Sequence, residues 1–120
     1  MDEFSFELLK TCGLARAGML RFPSGEVQTP TFVPVATQGS VKALDPHDIR
    51  DVGARILFGN TYHLYLRPGI DTVYNMGGLA KFMSWDGPTL TDSGGFQAYS
   101  LGSHVGITDD GLKFRSHLDG

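Results

Sequence analysis

The sequence predicts an α/β fold in which a parallel sheet with crossover helices is flanked on both sides by β-hairpins. Three observations carry this. Short apolar runs at 31–36, 55–58 and 88–91 are separated by segments with helix-starting and helix-stopping residues. Turn signals cluster before the first of these runs and after the last. The composition is that of a packed chain, 41% hydrophobic and 19% charged over 120 residues. Its sixteen Gly and six Pro are scattered without a period, which suits tight turns and close backbone approaches rather than a linker.

In chain order, residues 4–9 alternate loosely, Cys12-Gly13 supplies a turn, and 15–22 form a second strand. Pro23-Ser24-Gly25-Glu26 is another turn by composition, because Pro presets φ and Gly accepts positive φ. Residues 31–36 (TFVPVA) have the β-branched, apolar pattern of a strand buried on both faces, with Pro34 marking a strand end or bulge. Asp45-Pro46 opens a helix as N-cap and first residue, with Ile49 and Val52 on one face and Gly53 as its stop. Residues 55–58 (RILF) form a second buried strand, and Pro68-Gly69 breaks the loop that follows. A short helix over 70–76 ends at Gly77-Gly78, and 79–85 add another helical turn or two. Pro88-Thr89-Leu90-Thr91 is a third strand, running straight into a glycine pair. Finally 105–108, Asp109-Asp110-Gly111 and 112–116 form a hairpin, with Asp-Gly suited to a primed turn. The expected organisation is hairpins over about 1–30, βα units over about 31–102 and a hairpin over about 103–118. Three strands cannot close a barrel and leave an edge unpaired, so the chain is expected to be part of a longer domain.

Charge and cysteine usage narrow the function classes. The formal net charge is −3, so no global positive field draws in a polyanion, and any nucleic-acid contact needs a local patch or another segment. A single cysteine, Cys12, excludes an internal disulfide framework and a multi-cysteine zinc site. No apolar run approaches the ~18 residues of a membrane span and no signal-peptide core is present, so a soluble, cytoplasmic protein without membrane contact is expected.

The segment Thr91-Asp92-Ser93-Gly94-Gly95-Phe96-Gln97 concentrates the chemistry. It places Asp92 at the C-terminal end of a strand, where α/β sheets and barrels bind ligands. Ser93, Gly94 and Gly95 let backbone N–H groups approach a ligand, Phe96 offers a flat face for stacking, and Gln97 both donates and accepts hydrogen bonds. Together they suit recognition of a heterocyclic base. The same residues also fit a helix N-cap and turn with a core Phe, and the pattern alone leaves both open. In Gly59-Asn60-Thr61-Tyr62-His63-Leu64, Asn60 can hydrogen-bond Asp92 and orient it. His63 lacks partners at metal-ligand spacing and is read as held by neighbouring backbone groups. His47 and His104 read as surface residues, and His117 carries no signal.

TDSGGFQ after GNTYHLYLRPG, with TPTFVPVATQG upstream and GLKFRSHLDG downstream, strongly resembles the queuine/tRNA-guanine transglycosylase family. The resemblance covers essentially all of 13–120, in the family's order and spacing. It implies a (β/α)8 barrel with an inserted zinc site, of which this chain is the N-terminal part. It also implies exchange of guanine at the wobble position of a tRNA anticodon for a 7-deazaguanine base (queuine or its 7-aminomethyl precursor), and a homodimer at full length. Residue by residue, Asp92 matches the family's aspartate that contacts the base and accepts a proton. Ser93, Gly94, Gly95 and Phe96 match its substrate-binding stretch, extended by Gln97, and Asn60 matches an asparagine close to the aspartate. Ala98 departs from a bulkier aliphatic residue, and the Gly94-Gly95 pair resembles the bacterial and eukaryotic branch. The resemblance places the nucleophilic aspartate and the Cys/His zinc ligands beyond residue 120, so 1–120 are expected to bind no metal and to hold only part of the active site. A non-catalytic accessory subunit of such an enzyme is the alternative, and an intact TDSGGFQ speaks against it.

Overall fold

The computed structural model describes residues 4–101 and 103–120. It opens with an antiparallel meander of β1 (Ser5–Cys12), β2 (Ala15–Phe22) and β3 (Gly25–Thr29). Gly13, at φ +58, leads the two-residue turn between the first pair, since few other residues tolerate that conformation. The second turn is tighter than the sequence suggests. Only Pro23 and Ser24 lie in it, and Gly25 already pairs with Phe22. Arg21 on the middle strand ties the three strands, with Glu7 at 2.7 Å and Glu26 at 2.9 Å.

A parallel sheet follows, built from β4 (Val35–Ala36), β5 (Leu57–Gly59) and β6 (Thr89–Thr91) in sequence order, with β5 central. The helix α1 (Pro46–Asp51) crosses from β4 to β5. Three short helices, α2 (Thr61–Leu66), α3 (Ile70–Asn75) and α4 (Leu79–Phe82), cross from β5 to β6. After β6 come α5 (Gly95–Leu101) and an antiparallel hairpin of β7 (Ser103–Thr108) and β8 (Gly111–Arg115).

Local sequence explains α1 closely. The Asp45 side chain accepts from the N–H groups of His47 and Asp48, and the Asp48 side chain accepts from the Asp45 N–H, a reciprocal capping box. At the other end Gly53, at φ +87, donates to the Arg50 carbonyl and Ala54 to the Ile49 carbonyl. That is a Schellman closure, and it buries Ala54 beside Ile49. The same closure ends α4, with Ser84 at φ +53 in the position Gly usually takes. It turns Trp85 into the core, where Nε1 donates to the Pro88 carbonyl at 3.1 Å and the Arg50 guanidinium lies 4.4 Å above the ring. Ala36, Ile49, Ala54, Leu57, Met83 and Trp85 form this core. Burying a side chain the size of Ile49 contributes about 1.5–3 kcal/mol.

Several sequence expectations are corrected. The strand over 31–36 shrinks to two residues, and within this chain it is not buried on both faces: Phe32 is 80% and Val35 50% exposed. It is the edge of the sheet, and Pro34 contributes a carbonyl to Phe58 but has no N–H to extend the ladder. Val52 is the C-cap of α1 and is exposed, because the chain leaves the helical path there. The stretch after β5 is helix α2 rather than loop, with the Asn60 side chain accepting from the His63 N–H at 3.4 Å. Residues 95–101 are helical too. The last hairpin turns on Asp109-Asp110, neither at positive φ, and Gly111 carries that conformation at +150 inside β8. The side chain of His104 lies outside the described residues.

Candidate active site

Parallel pairing creates the site. Gly59 and Thr91 are register partners on adjacent strands, so the residues that follow them, Asn60 and Asp92, leave the same end of the sheet side by side. Asn60 Nδ2 donates to Asp92 Oδ2 at 2.9 Å, and the Thr61 N–H donates to Asp92 Oδ1 at 2.8 Å. In the other direction, Thr61 Oγ1 donates to the Asp92 carbonyl at 2.5 Å. Thr61 is the first residue of α2, so its N–H has no partner within the helix and Asp92 satisfies it. Asn60 is 7% exposed, and its amide oxygen meanwhile caps its own helix. A carboxylate offers about four acceptor positions. Two are used here by described residues, and Asp92 is only half-buried.

The glycines hold this turn against α2. Gly94 is buried at φ +73, and a Cβ on it would lie 3.1 Å from the Tyr62 backbone nitrogen. Ser93 is exposed, with Oγ accepting weakly from the Gly95 N–H at 3.4 Å. Phe96 is 75% exposed on α5, outside the core that these residues form, with its ring face accessible in this chain. Gln97 is half-buried on the same helix. Between α2, α5 and β8 lies a cleft of about 370 Å³ lined by Thr61, Tyr62, Tyr65, Ser93, Gly94, Gly95, Ala98, Leu112 and Phe114.

One cluster had no sequence signal. Tyr62 is buried, and its hydroxyl and His117 Nδ1 share a hydrogen bond at 2.8 Å. Phe114 packs on Tyr62 at 5.3 Å, and His63 stands edge-on to both Tyr62 and His117. The His63 ring is therefore placed among aromatic neighbours, where backbone contacts were expected. The pairing spans 55 residues and has no period that a one-dimensional pattern could reveal. His47 is exposed, as its sequence context suggests.

Among the described residues no group of three or more His, Cys, Asp or Glu comes together to hold a metal ion. His63 and His117 are neighbours but make only a pair, and His117 Nδ1 is engaged by Tyr62. No helix among the described residues is long and apolar enough to cross a membrane.

Comparison with known proteins identifies a family. The family model described as queuine tRNA-ribosyltransferase matches residues 11–120. A queuine tRNA-ribosyltransferase of Herpetosiphon aurantiacus is 53% identical over 120 residues, covering 100% of this chain and 31% of the relative. That of Desulforamulus reducens is 58% identical over 106 residues, 88% of this chain and 29% of the relative. That of Pseudomonas aeruginosa is 54% identical over 116 residues, 97% and 31% respectively. The chain thus spans a little under a third of the length of the curated relatives it matches. With nearly all of its residues matched by the family model, the chain belongs to the queuine tRNA-ribosyltransferase family.

Proposed function

We propose that the chain forms the N-terminal part of a tRNA-guanine transglycosylase, in which Asp92 reads the guanine-type base and accepts a proton during exchange. The observation that carries this is the placement of Asp92. It is held at the C-terminal end of a parallel strand by two N–H donors, has acceptor positions to spare, and is followed by the exposed ring of Phe96. A carboxylate facing the N–H groups of a guanine-type base accepts charge-assisted hydrogen bonds, roughly twice as strong as neutral ones. An aromatic ring covers the face of a planar base through stacking. Asn60 orients Asp92, while Ser93, Gly94 and Gly95 line the cleft that follows it, and Gln97 extends the base-binding stretch.

Cleaving an N-glycosidic bond develops positive charge on the ribose and negative charge on the departing base. A carboxylate nucleophile traps the sugar, and a second carboxyl group handles the proton at the base, as in retaining glycosidases. Asp92 takes the second role, and the nucleophile belongs to another segment of the full-length enzyme. The three strands β4-β5-β6, adjacent in sequence order, are the first of a (β/α)8 barrel in a single domain. The Cys/His ligands of the family's zinc site belong to another segment of the full-length enzyme. A 7-deazaguanine as incoming base, tRNA as the second substrate, a homodimeric assembly and a cytoplasmic location complete the proposal.

The test is incorporation of labelled guanine into tRNA by a full-length protein carrying this chain, with and without Asp92→Asn. Loss of exchange in a folded, tRNA-binding variant supports the assignment. Exchange near the unsubstituted level would return Asp92 to a structural role.

A further inference from the structure

We propose that Tyr62 and His117 form a clasp that positions the Asp92 site, an inference that rests on the function proposed above. Asn60 and Thr61 hold the Asp92 carboxylate, and Tyr62 is the next residue of α2. Its backbone lies against Gly94, at the distance where a Cβ would be crowded. Three consecutive residues of one helix turn therefore set the carboxylate and the glycine turn together, and any displacement of Tyr62 moves both.

What fixes Tyr62 comes from far along the chain. Tyr62 is 3% exposed, so its hydroxyl needs a partner inside the protein. His117, just past β8, supplies that partner at 2.8 Å, and Phe114 on β8 covers the ring. Apolar packing alone resists separation but permits sliding, whereas a hydrogen bond at the ring's tip fixes the ring along its long axis. The β7–β8 hairpin is thereby fastened to the residues that aim Asp92, although neither Tyr62 nor His117 is assigned a contact with substrate. His117 and Tyr62 are positioning residues for the exchange reaction.

Misplacement of a reacting group by about 1 Å can cost on the order of 10²-fold in rate. Tyr62→Phe removes only the hydroxyl and keeps the ring against Phe114, so it tests the hydrogen bond with the fold retained. In a full-length protein carrying this chain, Tyr62→Phe and His117→Ala are each expected to lower kcat by about tenfold or more, with KM for tRNA unchanged. Combining them should cost no more than the worse single change, because both break one bond. His117→Asn, whose amide lies where Nδ1 lies in the ring, should recover most of kcat. The idea is overturned by wild-type kcat in both single variants, by a lowered melting temperature with kcat intact, or by losses that multiply in the double variant. Asp92→Asn is measured alongside. If it loses exchange while the clasp variants keep theirs, only the clasp is refuted. If it retains exchange, the base-reading role fails and the clasp falls with it.

Discussion

Two aspartates in this chain do the same local job by different routes. Asp45 caps α1, the helix that follows it, using N–H groups two and three residues away. Asp92 accepts the first N–H of α2, a helix 31 residues earlier in the chain, and takes a second hydrogen bond from the residue that caps that helix. Asp45 is exposed and its role ends with the helix. Asp92 is half-buried at the end of a parallel strand, and it satisfies the Thr61 N–H while Asn60 caps the same helix at the His63 N–H. Asp92 also accepts from Asn60 Nδ2, a bond that no helix cap requires, so α2 and its cap hold Asp92 at least as much as Asp92 holds α2.

If so, substitutions at the two aspartates should differ in kind. Asp92→Asn should reduce base exchange by about 10²–10⁴-fold, the usual contribution of an acid–base group, while tRNA binding persists through phosphate contacts elsewhere. It should also lower stability modestly. An amide at this position offers one acceptor to two donors, and leaving a buried donor unpaired costs about 1–3 kcal/mol. Gly94→Ala comes next. It combines about 1–2 kcal/mol of left-handed backbone strain with a Cβ crowding Tyr62, so calorimetry should show a lower melting temperature and kcat should fall with it. Ser93→Ala should reduce exchange by less than about tenfold, since its hydroxyl is exposed and makes one long, neutral hydrogen bond.

The smallest effect belongs to Asp45. The Asp48 N–H, and after it the His47 N–H, hold the Asp45 carboxyl below its ordinary value of 3.8. Because the folded pKa is depressed, the cap's contribution is present above that value and is lost as pH falls through the folded one. Asp45→Ala should lower the melting temperature at neutral pH, the gap should close in acid well below 3.8, and exchange at neutral pH should be unchanged.

How much of this was legible in one dimension follows from the same contrast. The cap at Asp45, the stop at Gly53 and the strand ends before Asn60 and Asp92 are local, and the sequence announces each of them. The Asn60–Asp92 contact was legible only because two strand-to-turn transitions suggested adjacent parallel strands. Helix α2 was missed because Thr61, Tyr62 and His63 show no helical period, and Asn60 serves as both cap and partner. The exposure of Phe32 and Val35 was missed because composition cannot say which face of an edge strand is covered. The Tyr62–His117 bond had no signal, since only folding brings those residues together.

The central claim is that Asp92 is held in place for its carboxylate, and exchanging the two partners tests it most directly. In Asn60→Asp/Asp92→Asn the bond between the two side chains reverses direction, and the Thr61 and His63 N–H groups keep their acceptors. Asp at 60 accepts from the amide at 92 and from the His63 N–H, while the amide oxygen at 92 accepts from Thr61. The account predicts that the melting temperature recovers from the Asp92→Asn level towards that of the unsubstituted protein, while labelled-guanine exchange stays lower by at least about 10²-fold. Recovery of stability and exchange together would contradict it, because any polar pair that ties the two strand ends would then suffice.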